Sequence, residues 1–211
     1  RIDADFPGGN VIVDRVEQNE AFIRQDLRDT KGDWFYWCFR VKGAAGRTLK
    51  FTFTKSNVLG VLGPGMSADD GKTWRWLGRN SMSGQTFSYA FKENENEVYF
   101  SFGMPYQQSH LQHFLDENKN NIHLKAGVLC ESRKGRPVEK IRAGCIDSEP
   151  KHRVLLTARH HACEMMANYV MEGLLDAVIS DSEVGQWYQN NVEVLAIPFM
   201  DKDGVEEFTV L

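Results

Sequence analysis

Residues 153–180 read RVLLTARHHACEMMANYVMEGLLDAVIS, and this stretch decides the fold of the second half of the chain. It begins with the short apolar run RVLLTA, passes through the polar turn ARHHACE and continues in a long segment with apolar residues at helical spacing. A second apolar run, VEVLAIPF, follows at residues 192–199. Strand, helix and strand in this order predict a βαβ unit, in which the helix covers a parallel pair of strands.

The predicted helix has one apolar face that we expect to be buried. Its members recur at i, i+3, i+4 and i+7, and they are Met166, Tyr169, Val170, Gly173, Leu174, Ala177 and Val178. Upstream, residues 122–130 and 137–147 flank the polar turn ESRKGR and predict a hairpin, and residues 109–120 predict a short helix.

The first half of the chain has a different rhythm. Short runs of alternating apolar and polar residues are separated by turn residues, as in VIVDRVEQNEAFIRQDL at 11–27, RTLKFTFT at 47–54 and the DDG turn at 69–71. About six to eight such strands with no convincing helix predict an antiparallel β-sandwich. The predicted fold class is therefore α+β with two domains, a sandwich at 1–104 and an α/β domain at 105–211.

The four tryptophans of the first half have two interpretations. Trp34, Trp37, Trp74 and Trp76 could form a carbohydrate-binding platform, but aromatic residues at strand spacing usually fill a sandwich core. We favour the core.

Composition excludes some classes of protein. The formal charge of −4 argues against a general nucleic-acid or acidic-membrane partner, and no apolar run is long enough to span a bilayer. The four cysteines lack CxxC spacing, which mildly favours a reducing compartment and predicts a cytoplasmic location. The chain begins with Arg1 rather than Met, which leaves a removed leader or a trimmed tag open.

The turn ARHHACE is the candidate site, because ligands of open α/β sheets bind beyond the carboxyl ends of the strands. His161 and Glu164 are three residues apart at the start of the helix, so both side chains turn the same way. Imidazole and carboxylate are suitable zinc ligands, but a catalytic zinc needs three protein ligands. Taken alone, H-x-x-E more often marks an ordinary helix start.

The surrounding segments resemble the cytosolic-carboxypeptidase-like branch of the zinc metallocarboxypeptidases. That family has A-R-x-H-P-G-E at the turn between strand and helix, and then a strand ending in P-x-x-N-P-D-G-V. The matching residues here are Ala158, Arg159, His161 and Glu164, followed by Pro198, Asp203, Gly204 and Val205. Residues 34–53 and 98–115 resemble the family's leading β-domain and its junction segment.

The resemblance implies a zinc-dependent exopeptidase that removes residues from peptide or protein C-termini, with His161 and Glu164 as two zinc ligands. It implies a packing or outer role for His160. The chain departs from the family at Ala162-Cys163, which replace Pro-Gly, and at residues 201–204, which read Asp-Lys-Asp-Gly in place of Asn-Pro-Asp-Gly. Cys163 is interpreted as a small packed residue, with a thiolate ligand as the alternative.

The resemblance also implies parts that this sequence does not supply. The third zinc ligand, the general-base glutamate and the groups that bind the substrate carboxylate lie further downstream in the family, and no histidine follows His161 here. His110, His113, His123 and His152 precede the site and match no ligand of the family. His110 and His113 could face the cleft, but we favour surface positions for both. We therefore expect a truncated peptidase domain with an exposed sheet edge or apolar face.

Two other functions remain open at this stage. The chain could be a non-catalytic product whose sandwich serves as a binding module, or an amidase or deacylase that uses the same metal site on a non-peptide amide. The sequence does not predict residue specificity or oligomeric state.

Overall fold

A computed structural model of the chain describes residues 1–28, 30, 32 and 34–207. The chain divides into two units, Arg1–Pro105 and Tyr106–Leu211. No helix in the described part is long and apolar enough to cross a bilayer.

The first unit consists of short strands joined by turns. The strands are β1 (Ile2–Asp3), β2 (Ile12–Glu17), β3 (Glu20–Arg24), β4 (Cys38–Lys42), β5 (Thr48–Phe53), β6 (Gly65–Ser67), β7 (Arg75–Trp76), β8 (Met82–Ser83), β9 (Thr86–Ala90) and β10 (Glu97–Ser101). A single 3-10 turn, Arg79–Ser81, is the only helix among the described residues of this unit. The expectation of strands without a long helix is met here.

These strands form two five-stranded sheets, ordered β1-β4-β10-β6-β7 and β2-β3-β5-β9-β8. Most neighbours pair antiparallel, as predicted, but β3 and β5 are parallel. The expectation of a purely antiparallel unit is wrong at this pair. The reason is topological: β4, which lies between them in sequence, belongs to the other sheet, so the chain returns to its first sheet running in the same direction as before.

One cluster of buried aromatic side chains joins the two sheets of the first unit. Trp37 and Phe39 come from one sheet, Phe51 and Phe87 from the other, and all four side chains are fully buried. The Trp37 ring centroid lies 4.9 Å from that of Phe53, and the rings of Phe51 and Phe87 stack at 4.8 Å. Contacts of this kind add stability beyond area burial.

The tryptophan prediction is confirmed in part. Trp34 and Trp37 are buried, and the Trp37 indole N–H donates to the Val58 carbonyl at 3.0 Å. Trp74 and Trp76 are only half-buried. They lie around the DDG turn, where the Trp74 indole donates to the Gly71 carbonyl at 2.9 Å.

The second unit mixes helices with one sheet. Its elements are α1 (Gln108–Glu117), β11 (Leu124–Glu131), β12 (Pro137–Gly144), β13 (His152–Thr157), α2 (Met166–Ile179), α3 (Glu183–Asn191), β14 (Val192–Ile197) and α4 (Lys202–Glu207). The predicted short helix is α1, and the predicted hairpin is the antiparallel pair β11 and β12. Helices α3 and α4 were not predicted.

The sheet of the second unit has the order β11-β12-β14-β13. Strands β13 and β14 pair in parallel from His152 against Val192 to Thr157 against Ile197. Helix α2 lies between them in sequence, so the predicted βαβ unit is confirmed. The carboxyl ends of both strands therefore meet at the same edge of the sheet.

The buried face of α2 shares only Val178 with the predicted one. Its buried residues are Asn168, Met171, Leu175, Val178 and Ile179. Of the predicted face, Val170 is 73% exposed and Met166 is 47% exposed. The helix is apolar on more than one side, so periodicity did not single out the core side. The buried side includes the polar residue Asn168, whose side chain amide donates to the Pro198 carbonyl at 2.9 Å.

Large apolar side chains are exposed in the second unit, as the sequence predicts. On β13, which is at the edge of the sheet, Leu155 is 63% exposed and Val154 is 39% exposed. Trp187 on α3 is 52% exposed.

Candidate metal centre

The candidate site begins where β13 ends. Beyond the two parallel strands, the chain at residues 158–159 continues beside residues 197–201 through backbone hydrogen bonds. The Ala158 N–H donates to the Ile197 carbonyl at 3.1 Å, and the Asp201 N–H donates to the Arg159 carbonyl at 2.8 Å. The turn that follows is thus anchored on the edge of the sheet where the geometry of parallel strands places ligands.

The turn changes chain direction at Arg159, whose φ is +56°. This left-handed conformation is uncommon for a residue with a side chain and marks a constrained point in the backbone. Two residues later the chain forms a turn ahead of α2, which begins at Met166, and in this turn the Glu164 N–H donates to the His161 carbonyl at 3.1 Å.

His161 and Glu164 contact each other directly. Nδ1 of His161 lies 3.2 Å from Oε1 of Glu164, and the His161 backbone N–H donates to Glu164 Oε2 at 3.1 Å. The side chains are 64% and 48% exposed, so solvent and ions can reach both. The hydrogen bonds from the His161 side chain and backbone hold the pKa of Glu164 below its ordinary range. Glu164 is therefore a carboxylate near neutral pH, acting as an acceptor.

The pair suits a divalent ion. Zinc binds imidazole nitrogen and carboxylate oxygen at about 2.0–2.2 Å, so two ligands of a tetrahedral ion lie roughly 3.3 Å apart. The observed separation of Nδ1 and Oε1 is 3.2 Å. Among the described residues no group of three or more His, Cys, Asp and Glu side chains could hold a metal. The described chain thus offers two adjacent donors and not a complete set.

The neighbouring residues do not add to this pair. His160 is exposed, and its Nε2 lies 2.9 Å from Thr157 Oγ1. The expectation that this side chain is packed is therefore wrong. Cys163 is half-buried with a free thiol. Of the upstream histidines, His113 is exposed, as expected, and it pairs with Glu117. His110 is half-buried, with its ring 5.3 Å from that of Tyr106.

The second motif segment lies after β14, and its two aspartates have different roles. Asp201 accepts from the Gly204 N–H at 3.0 Å, and burial raises its pKa. Asp203 is buried and accepts from Ser132 Oγ at 2.8 Å and from Arg136 at 2.7 Å. Burial alone would raise the pKa of Asp203, but these hydrogen bonds outweigh it and lower the pKa.

One residue of the site was matched to the family pattern without any role being assigned to it. Arg159 is 1% exposed, which is rare for an arginine, and its guanidinium donates to the Ala162 carbonyl in the turn that contains His161 and Glu164. The sequence signal was its position two residues before the first candidate ligand. Its burial could not be anticipated, because charged residues are expected at the surface.

Comparison with solved structures places the fold among metallo-carboxypeptidases. The structure of a metallo-carboxypeptidase from Burkholderia cenocepacia matches the whole chain with a TM-score of 0.82 and 20% identity, and the match covers 58% of that chain. A metallo-carboxypeptidase from Pseudomonas aeruginosa, solved with (2-guanidinoethylmercapto)succinic acid, matches with the same TM-score and identity. No family model matches the sequence.

Curated relatives narrow the comparison. Cytosolic carboxypeptidase 2 of Xenopus tropicalis is 27% identical over 242 residues, covering 97% of this chain and 25% of the relative. Cytosolic carboxypeptidase 6 of Caenorhabditis elegans is 26% identical over 233 residues, covering 96% of this chain and 50% of the relative. An uncharacterized protein of Zymomonas mobilis is 23% identical and is matched over 54% of its length. The resemblance to the cytosolic-carboxypeptidase-like branch of the metallocarboxypeptidases is confirmed, and the chain spans about half or less of the length of these relatives.

Proposed function

We propose that the chain carries part of the active site of a zinc-dependent carboxypeptidase, which removes residues from peptide or protein C-termini. The observation that supports this most directly is the 3.2 Å approach of His161 Nδ1 to Glu164 Oε1 at the carboxyl end of β13. The similarity to cytosolic carboxypeptidases over 97% of the chain supports the same activity. In this proposal residues 1–104 form a β-sandwich domain, and residues 105–211 belong to the peptidase domain.

The two ligands have defined tasks in the proposed site. A bound zinc would supply Lewis acidity and an activated water for amide hydrolysis. His161 would hold the metal through an unprotonated Nδ1, with the ring hydrogen carried on Nε2. Glu164 is already ionised, because its pKa is lowered by His161. In this proposal the turn offers the metal two ligands, the imidazole of His161 and the carboxylate of Glu164.

Metal binding tests the site directly. Co²⁺, whose visible absorption reports its coordination, is titrated into the protein at neutral pH. We expect His161→Ala and Glu164→Gln each to weaken Co²⁺ binding by more than about tenfold, because each removes one of two protein ligands. His160→Ala is the matched control, since this adjacent imidazole contacts Thr157 and should bind as the parent does. Equal affinity in the parent and His161→Ala would refute the proposed site.

A binding module is the second candidate, and one feature of the first unit favours it. A recess of about 340 Å³ is lined by apolar residues, including Val13, Val41 and Leu49, and by more basic than acidic residues, namely Arg1, Lys42 and Arg47 against Glu20. Such a surface suits an amphipathic, acidic peptide. The two candidates separate cleanly, because peptide binding in this recess would be unaffected by His161→Ala and by chelators.

A further inference from the structure

The Arg159 side chain is buried inside the turn that carries both proposed ligands. Its Nε donates to the Ala162 carbonyl at 2.9 Å, and its Nη2 donates to the same carbonyl oxygen. Ala162 is itself fully buried and lies between His161 and Glu164 in sequence. The guanidinium thus binds the Ala162 carbonyl from the buried side of the turn at residues 161–164, which is called the ligand turn below.

The same guanidinium reaches two other elements of the second unit. Nη1 donates to the Tyr106 carbonyl at 2.7 Å, just before α1, and lies 3.4 Å from Oδ1 of Asn168 in α2. The Asn168 amide in turn donates to the Pro198 carbonyl after β14. Arg159 therefore connects the ligand turn to the chain before α1, and through Asn168 to the segment after β14.

The backbone of Arg159 is fixed as well as its side chain. Its carbonyl accepts from the Asp201 N–H, and its φ of +56° is a conformation that few residues with a side chain adopt. A buried guanidinium is stable only when its N–H groups find acceptors in a suitable geometry. The planar fork of arginine meets this requirement at two carbonyls simultaneously. Lysine, a point charge on a flexible stem, does not.

We propose that Arg159 is a positioning residue that holds His161 and Glu164 in the geometry that binds a metal. The metal part of this inference rests on the proposed function, whereas the ordering of the turn does not. Arg159 touches neither ligand side chain in the hydrogen bonds described above. It acts through the Ala162 peptide group, and loss of its fork would free the turn to place the two donors apart.

The experiment compares Arg159→Lys with Arg136→Lys. Arg136 is a matched control, because it also bridges separate segments of the second unit but bonds to Asp203 and Glu207 rather than to the ligand turn. Two readouts are taken on folded protein, checked by circular dichroism. The first is hydrogen exchange of the His161 and Glu164 amides without metal, and the second is the Co²⁺ dissociation constant.

We expect Arg159→Lys to speed exchange of both amides by at least about tenfold and to weaken Co²⁺ binding by about 10–100-fold, the range typical of groups that orient metal ligands. Arg136→Lys should change neither. A folded Arg159→Lys protein with parental amide exchange and parental Co²⁺ affinity would overturn the inference. If only the metal proposal is wrong, His161→Ala binds Co²⁺ as tightly as the parent does. The exchange rates of the His161 and Glu164 amides in Arg159→Lys then still test whether Arg159 orders the turn.

A measurement on the unmodified protein covers the case in which Arg159→Lys does not fold. The Nε–H of Arg159 is followed by nuclear magnetic resonance, and we expect it to exchange with solvent much more slowly than the Nε–H of exposed arginines. Exchange as rapid as that of the exposed Arg133 would overturn the inference.

Discussion

The Arg136 guanidinium donates to the Asp203 carboxylate at 2.7 Å and so ties the start of α4 to the turn between β11 and β12. Asp203 also accepts from Ser132 Oγ and from the Lys134 N–H, both in that turn. This aspartate belongs to the Asp-Gly pair that the second motif segment shares with the family pattern. In this chain Asp203 joins α4 to the β11–β12 turn through these hydrogen bonds.

Asp203→Asn should lower the free energy of unfolding of the second unit by about 2 kcal/mol. A hydrogen bond to a charged group contributes roughly 1.5–3 kcal/mol to stability, and this substitution removes the charge. Urea unfolding at pH 7 measures the loss. Asp147→Asn is the control, because Asp147 is 67% exposed where it pairs with Lys125, and this substitution should leave the urea midpoint close to that of the parent. Equal effects of the two substitutions would contradict the structural role of Asp203.

The contribution of Asp203 should depend on pH. Its folded pKa lies below the ordinary value of 3.8, so the unfolded chain takes up a proton first as the pH falls. Its stabilisation is complete above pH 3.8 and is lost as the pH falls through the folded pKa. The stability gap between the parent and Asp203→Asn should therefore narrow below about pH 4, and a gap that widens there would be inconsistent with the lowered pKa.

Glu172 should behave in the opposite sense. Burial raises its pKa above the ordinary value of 4.5, while its Oε2 accepts from the Tyr106 hydroxyl at 2.6 Å. For a carboxyl group with a raised folded pKa, stability falls as pH rises from the unfolded pKa through the folded one. Glu172→Gln keeps an acceptor for Tyr106 and removes a half-buried charge, so we expect it to be more stable than the parent at pH 7 and similar to it at pH 4. Chemical denaturation at the two pH values is the measurement, and a variant less stable at pH 7 would count against this assignment.

The buried face of α2 can be checked by a pair of substitutions. Leu175 is 1% exposed, so Leu175→Ala should cost about 2–5 kcal/mol of unfolding free energy through lost burial and a cavity. Val170, at 73% exposure, belonged to the predicted face, and Val170→Ala should change stability by no more than about 0.5 kcal/mol. A larger loss of stability for Val170→Ala than for Leu175→Ala would indicate that the face predicted from periodicity is the buried one.

Catalysis by the 211-residue polypeptide should be negligible even with zinc. The described residues bring two candidate ligands together and contain no group of three. Catalytic zinc sites use three protein ligands with oriented outer partners. Release of amino acids from a peptide with a free C-terminus, followed with and without zinc, is the measurement. Rapid chelator-sensitive release that His161→Ala abolishes would show that this polypeptide completes the site.

Periodicity predicted those parts of the fold in which one pattern points to one structure. The βαβ unit, the β11–β12 hairpin and helix α1 follow from spacing and turn residues, and the position of the candidate site follows from the βαβ topology. Helix α3 was missed because its large apolar residues, such as Val184 and Trp187, are exposed and form no core face. Helix α4 has six residues and contains Gly204, so it has little helical signal.

The remaining errors come from buried polar groups. Asn168 and Arg159 are buried because specific carbonyl oxygens accept from them, and such partners are remote in sequence. Residue type alone places both at the surface. The 3.2 Å contact agrees with the prediction that the His161 and Glu164 side chains turn the same way. The prediction that they lie at a helix start is wrong, because α2 begins at Met166. The burial of Arg159 next to this turn was not predicted.

The order in which the chain visits the two sheets of the first unit has a consequence for how that unit assembles. Strand β3 pairs with β5, but β4, which lies between them in sequence, belongs to the other sheet. In that other sheet the last strand of the unit, β10, is at the centre and pairs with β4 and β6. No cut along the chain therefore yields a fragment that contains one whole sheet without part of the other. Stable partial structures of one sheet are not available, and most native pairings join residues distant in sequence, which is the condition for slow folding. During synthesis the first unit should stay vulnerable to proteases until β10 has emerged, and then gain protection in both sheets at once.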